Sequence, residues 1–229
     1  SADLRAHDAL PLQTKAVYPV YAAFGLRASA SMFQGGSEVV LVEGPEDQIY
    51  LSAIKTYLIG RGLIHPQREL LFLPASGGKG MTAVIPLIAN RDEVPLVVLN
   101  SDGVGNTTAK HLLESHYADH ADRIYQLAEI CGFDGAESED LFPQDLVSML
   151  VDRQLRVVDE EFVDVVKEGQ PIIPQIEAFA TKLRAKLTPG WKLELARRVK
   201  DRLPRNRDFG GKYPEYERRW IKLFSRFAG

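Results

Sequence analysis

The sequence predicts an α/β fold, a parallel sheet flanked by helices, continued by a mostly helical second part. Three observations carry this expectation. Short, largely apolar runs at 39–42, 69–73 and 95–99 have the length and composition of buried parallel strands. Each is followed by a stretch with helical spacing, the alternation that builds βαβ units with right-handed crossovers. After about residue 140 the strand signals stop and helix-length segments follow one another.

Taken in order, residues 1–35 read as a helical lead-in. Helical spacing over 10–24 gives way to a small-residue connector around Ala28-Ser29-Ala30-Ser31 and Gly35-Gly36. Residues 36–135 read as the α/β domain. Its first strand (39–42) precedes a helix at 46–58 bearing Ile49, Leu51, Ile54 and Leu58. The second strand (69–73) runs through Gly77-Gly78 into a helix at about 81–89, and the third (95–99) leads to a helix at about 107–117. A fourth strand is expected at 123–127. Residues 136–229 read as a helical domain with a basic C-terminal part, with helices at 146–155, 160–167, 174–187 and 191–203. Gly169, Pro171, Pro189-Gly190 and Pro204 punctuate them, and 156–158 hints at a strand. The composition shift places the division near 132–145, and no internal repeat or low-complexity tract is present.

Bulk properties narrow the function classes. The 229 residues are 45% hydrophobic and 26% charged, ordinary for a folded globular chain. No apolar run approaches the ~20 residues of a membrane span and no signal peptide is visible, so no membrane partner and a cytoplasmic setting are expected. Cys131 stands alone, which excludes an internal disulfide and a four-cysteine zinc site. A chain opening at Ser1 is expected to be a piece of a longer protein. The net charge of −3 hides an asymmetry: residues 182–229 hold 15 Lys/Arg against 5 Asp/Glu, leaving 13 basic and 26 acidic residues before them. An acidic rim facing a basic surface suits an anionic polymer, although for charge runs in general a solvated helical face is the better explanation.

The chemistry-bearing positions lie where open α/β sheets place ligands, beyond the carboxyl ends of strands. Glu43 ends the first strand and Asp47 falls in the first turn of the next helix. Paired carboxylates there suit a hard divalent cation, while complementing the helix dipole accounts for Asp47 alone. Asp102-Gly103 follows the third strand, so Asp102 shares that edge if the strands are neighbours; a simple turn is the alternative. Ser76-Gly77-Gly78-Lys79-Gly80 offers backbone amides to a phosphate or a water. It is not a Walker A loop, because Gly80 stands where Ser or Thr is required. Glu137, Glu139 and Asp140 cluster at the expected domain junction. His111, His116 and His120 lack the further ligand of a zinc site, and no nucleophile elbow is present.

The set Glu43-Gly44-x-x-Asp47, glycines after the second strand and Asp102-Gly103 after the third resembles the Toprim fold of topoisomerases, bacterial primases and several nucleases. The Val42-Glu43-Gly44-Pro45-x-Asp47 form, the Glu139-Asp140-Leu141-Phe142-Pro143 run and the basic helical end resemble more specifically the OLD (overcoming lysogenization defect) nucleases of Class 2. In that family an ATPase domain precedes a Toprim region with an added helical domain. The resemblance covers most of residues 36–229. It implies the C-terminal catalytic region of such a protein, with the ATPase domain and DNA as partners. It further implies a metal-dependent DNA endonuclease with two Mg²⁺ or Mn²⁺ ions, ~3.5–4 Å apart as in two-metal sites, held by Glu43, Asp47, Asp102, Glu139 and Asp140. Lys212 is then the expected transition-state cation, with Lys182 and Lys222 as rivals. Ser76 and Gly78 would position a water. Lys182, Arg197, Arg198, Arg205 and Arg207 would hold the DNA backbone without reading sequence. One departure stands out. Val104 occupies the position of a second aspartate in most Toprim proteins, so Glu139 and Asp140 are the expected substitutes. A primase or topoisomerase-like Toprim enzyme, or a non-catalytic module binding nucleic acid or an ATPase, remains open.

Overall fold

The computed structural model describes residues 37–89, 94–155, 160–203 and 208–227. Four strands, β1 (Ser37–Val42), β2 (Glu69–Pro74), β3 (Leu96–Leu99) and β4 (Ile124–Gln126), form one sheet in the order β2-β1-β3-β4. Every pairing is parallel, with Leu41 opposite Leu73 on one side and Val97 on the other. The α/β expectation is met. β1 and β3 lie side by side at the centre, and the chain order reverses direction between them. That is the topological switch point, where the carboxyl ends of strands open a crevice for ligands.

The period of two along the strands divides the apolar residues between two cores. Val40, Val42, Leu70, Phe72, Leu96 and Val98 point to one face, where α1 (Pro45–Gly60) lies. Leu41, Val97 and Leu99 point to the other, against Met81, Val84 and Ile85 of α2 (Gly78–Ile88) and Ala109 and Leu112 of α3 (Gly103–Leu113). After the short α4 (Ala128–Cys131) and a 3-10 turn at Ser138–Leu141, the chain becomes helical: α5 (Gln144–Leu155), α6 (Ile172–Lys182), α7 (Trp191–Arg202), α8 (Phe209–Lys212) and α9 (Pro214–Ser225). These helices extend the first core. Leu146, Leu150, Ile176, Leu195, Val199, Trp220 and Phe224 belong to the same buried cluster as β1 and α1. Among the described residues no helix is long and apolar enough to cross a membrane.

Several elements differ from expectation, among them the helix expected at 174–187, which spans Ile172–Lys182. The helix after β3 starts at Gly103, because the Asp102 carboxylate accepts the Gly105 amide at 2.7 Å and caps it. The expected helix at 160–167 is only a 3-10 turn, Phe162–Asp164, and the Asp152 carboxylate accepts the amides of Phe162 and Val163 at its start. Helix α9 is unanticipated, although Pro214 opens it, Glu215 and Glu217 occupy its first turn and Lys222 its last. The lead-in helix, the strand hint at 156–158, and Arg205 and Arg207 lie outside the described residues.

Candidate metal centre

The crevice is built from three chain segments. Glu43 follows β1 directly, and its Oε1 accepts the amide N–H of Asn100, the first residue beyond β3, at 2.8 Å. The loop after β2 completes the edge: Ala75 N–H donates to the Val42 carbonyl at 2.9 Å and Gly77 N–H to the Glu43 carbonyl at 2.8 Å. This brings exposed Ser76, with its φ of 60°, beside Glu43, and seats Gly78 against α3, where an added Cβ would lie 2.1 Å from Thr108 Oγ1. Gly105 is as closely fitted, since a Cβ there would meet the Asn100 carbonyl at 1.9 Å.

Asp47 sits in the first turn of α1 and is 4% exposed. Its Oδ2 accepts the Gly44 amide at 2.8 Å and its Oδ1 the Ser138 hydroxyl at 2.6 Å. Ser138 comes from the 3-10 turn of the expected junction, so residues 137–141 close over the sheet edge. Glu137 is the carboxylate of that turn that joins the rim. Its charge raises the pKa of both Glu43 and Asp47, and Asp102 raises its own. The sequence marks Glu137 only as part of an acidic run, with no cue that it rather than Asp140 faces Glu43.

Asp140 has another task. Its Oδ2 accepts the Glu137 amide and its Oδ1 the Ile172 amide, each at 2.9 Å, so it shapes the turn and fixes the start of α6. Its expected ligand role is not what this geometry favours. Glu139 is 2% exposed, and its Oε1 has no hydrogen-bond partner among the described residues; neither has the neighbouring Tyr50 hydroxyl. Burial pushes the Glu139 carboxyl well above the usual range, and nearby Lys192 opposes that shift.

Lys192, in the first turn of α7, is the cation of this cluster. Its Nζ meets Glu137 Oε2 at 2.7 Å, and the charges of Glu139 and Glu137 outweigh its burial and raise its pKa. Lys212 is held elsewhere: its ammonium pairs with Asp145 at 3.2 Å and lies over the Tyr213 ring at 4.6 Å. The rivals Lys182 and Lys222 meet Glu160 and the Glu129 carbonyl. The sequence carried a signal for Lys192 only in its place near a helix start after Pro189-Gly190. Of the expected backbone contacts, Arg197 is exposed on α7, whereas Arg198 pairs with Glu194 at 2.5 Å.

Electrostatics mark the rim as unusual. Glu43 is raised from 4.5 to about 7, first by burial and then by the charges of Asp47, Asp102 and Glu137, against the lowering effect of the Asn100 amide. Asp47 rises from 3.8 to about 6, again chiefly by burial, although Ser138 and Gly44 donate to it. Crowded carboxylates with raised pKa values, in a crevice, are a ligand-site signature. The donor set is all oxygen, which suits Mg²⁺ or Mn²⁺. In the observed side-chain conformations Glu43, Asp47 and Asp102 each turn onto a protein donor. Among the described residues no three His, Cys, Asp or Glu side chains converge closely enough to hold an ion. No family model, curated protein or solved structure matches this chain.

Proposed function

We propose that the chain is a metal-dependent DNA endonuclease core that cleaves or nicks phosphodiester bonds with two Mg²⁺ or Mn²⁺ ions. The observation that carries this reading is the placement of Glu43 and Asp102 just beyond the ends of the adjacent central strands, at the switch point, with Glu43 within electrostatic range of Asp47, Asp102 and Glu137. Glu43, Asp47, Asp102 and Glu137 would hold the ions, and Glu139, whose Oε1 has no hydrogen-bond partner among the described residues, would complete the set. When bound, the ions neutralise the acidic rim toward a polyanion, lower the pKa of a water and stabilise charge on the departing oxygen.

The chain's own groups supply orientation and fixed charge. Lys192 keeps its proton because carboxylates surround it, so it offers a positive charge beside the reacting phosphate. Ser76 and Gly78, in the loop whose Ala75 and Gly77 amides are tied to the end of β1, would position a water. Arg197 and the neighbouring basic residues of α7 would contact the DNA backbone. The ATPase domain implied by the resemblance would act on this unit as a partner.

Cleavage of supercoiled plasmid tests the proposal. The wild-type chain should nick or linearise it with Mg²⁺ or Mn²⁺ and leave it intact with EDTA, while Glu43→Ala should be inactive. Equal nicking under all conditions, or by Glu43→Ala, would refute it; no cleavage with either metal would favour a non-catalytic binding module.

A further inference from the structure

A cleft lies between the start of α5, the end of α7 and α8, and none of its walls belongs to the acidic rim. Leu146, Met149, Leu203 and Phe209 form its apolar side, and Asp145, Arg202, Lys212 and Tyr213 its polar side. It encloses about 290 Å³, at the small end of ligand sites, which run from ~300 to ~1,000 Å³. Its floor is firmly seated: Phe209 is fully buried and stacks on Trp220 at 4.6 Å, and Leu203 and Leu146 are buried beside it. Its cations are not used up within the fold. Arg202, the last residue of α7, is partly buried, yet its guanidinium makes no hydrogen bond or ion pair among the described residues. Complementing the helix dipole accounts for a charge at that position, but not for a partly buried fork whose donors stay open. Lys212 Nζ meets Asp145 Oδ2 at 3.2 Å, and the Tyr213 hydroxyl donates to the same oxygen at 2.7 Å. That pairing holds the ammonium at the cleft and leaves it further donors. Asp145 is committed on its other oxygen too, which accepts the Leu146 amide at 2.8 Å.

We propose that this cleft is a second ligand site, for a small organic phosphate whose anionic end meets Arg202 and Lys212 and whose apolar group rests on Leu146, Met149 and Leu203. Two cations against one committed carboxylate leave the polar side positive, so it selects an anion. A guanidinium fork together with a separate ammonium suits a tetrahedral phosphate, whose oxygens point in several directions. A planar carboxylate is already satisfied by the fork alone. The apolar side adds a term that free phosphate cannot use, because a ring placed there leaves water. The volume suits a single-ring ester. A floor already packed in place costs little ordering when the ligand arrives. The proposal does not rest on the metal-centre reading, since it uses none of the rim carboxylates.

Calorimetric titration of the whole chain in EDTA tests this, since the chelator removes cations that could recruit phosphate to the rim. Phenyl phosphate should bind more tightly than inorganic phosphate and more tightly than benzoate. Arg202→Met should weaken phenyl phosphate binding by about ten- to a hundredfold, as loss of charge-assisted hydrogen bonds does. Lys212→Met should weaken it less, because that ammonium is largely solvated. Met149→Trp, which fills the apolar side and leaves the charges in place, should weaken phenyl phosphate more than inorganic phosphate. Melting temperatures without ligand check that each variant is folded. A wild-type chain that does not bind phenyl phosphate, or binds benzoate or inorganic phosphate as tightly, overturns the proposal. So does wild-type affinity in folded Arg202→Met or Met149→Trp. None of these results bears on the plasmid-cleavage test of the metal centre, and a failure of that test leaves this site standing.

Discussion

Burial raises Glu43 to about 7 and Asp47 to about 6, and both shifts have a thermodynamic consequence that does not depend on catalysis. A carboxyl whose pKa is higher folded than unfolded favours the folded state only while it is protonated. That stability is fully present below the ordinary values of 4.5 and 3.8, and is lost as pH rises through about 7 and about 6. In EDTA the melting temperature should therefore fall across this window, and Glu43→Gln should flatten the upper part of the fall. A divalent cation should raise the melting temperature most at the alkaline end, where the carboxylates are ionised and need no proton displaced. Melts that are flat in pH, with or without Glu43→Gln, would show that these groups are not buried together as described. Lys192 permits a second prediction at this scale. Lys192→Met should reduce cleavage by about a hundred- to a thousandfold, as loss of a preorganised transition-state partner does. Lys212→Met should leave turnover nearly intact, since its partners are Asp145 and Tyr213. Plasmid-cleavage rates of the two variants decide between them. Glu43, Asp47 and Asp102 were legible in the sequence because each follows a strand or opens a helix. Glu137 and Lys192 were not, because their place depends on how a distant turn and α7 fold back over the edge.

At the scale of elements, the strands were legible for a simple reason: a buried parallel strand has no polar face, so its apolar run is its signature. Helix starts were harder. Asp102 reads as a turn residue, yet it caps α3, and that moves the helix start next to the acidic edge. The close fit of this first turn yields a prediction with an unusual sign. Glycine to alanine within an exposed helix ordinarily stabilises by about 1 kcal/mol. At Gly105 the added carbon would lie 1.9 Å from the Asn100 carbonyl and 3.0 Å from Glu43 Oε1, so α3 must move away from β3. Gly105→Ala should destabilise by about 1–3 kcal/mol, the range of overpacking strain, and should weaken cation binding in parallel. Denaturant unfolding and cation titration of the same variant check both halves. A stabilised variant would mean that the helix start is looser than these distances state. The turn Phe162–Asp164 is tied to α5 instead of running on as a helix: Asp152, ten residues earlier, accepts the Phe162 amide at 2.6 Å.

Across the whole molecule, α9 ties the chain's end to the acidic edge. Trp220 is fully buried and donates its indole N–H to the Leu141 carbonyl at 2.7 Å, in the turn that also carries Ser138 and Glu139. Its ring stacks on Phe209 at 4.6 Å and meets Phe142 and Tyr57 edge-on at 5.4 and 5.6 Å. Further along the helix, Phe224 reaches Phe72 on β2 at 5.9 Å, and Phe227, just past its end, reaches Tyr125 on β4 at 5.7 Å. The first and the last described elements thus share one apolar cluster, and the composition shift near residue 140 is not a break in packing. Composition could not show this, because it reports what a segment contains and not what covers it. Trp220→Ala should cost about 3–5 kcal/mol, the range for removing a buried aromatic ring. The shared cluster makes a stronger demand, that the sheet and the helices unfold together. Far-ultraviolet circular dichroism reports mainly the helices. The fluorescence of Trp191, in a Trp220→Phe background, reports the start of α7 beside the rim. The two probes should give coincident denaturation midpoints. Separate midpoints would show that the helical part melts on its own, and that the turn holding Ser138 and Glu139 is not anchored through α9.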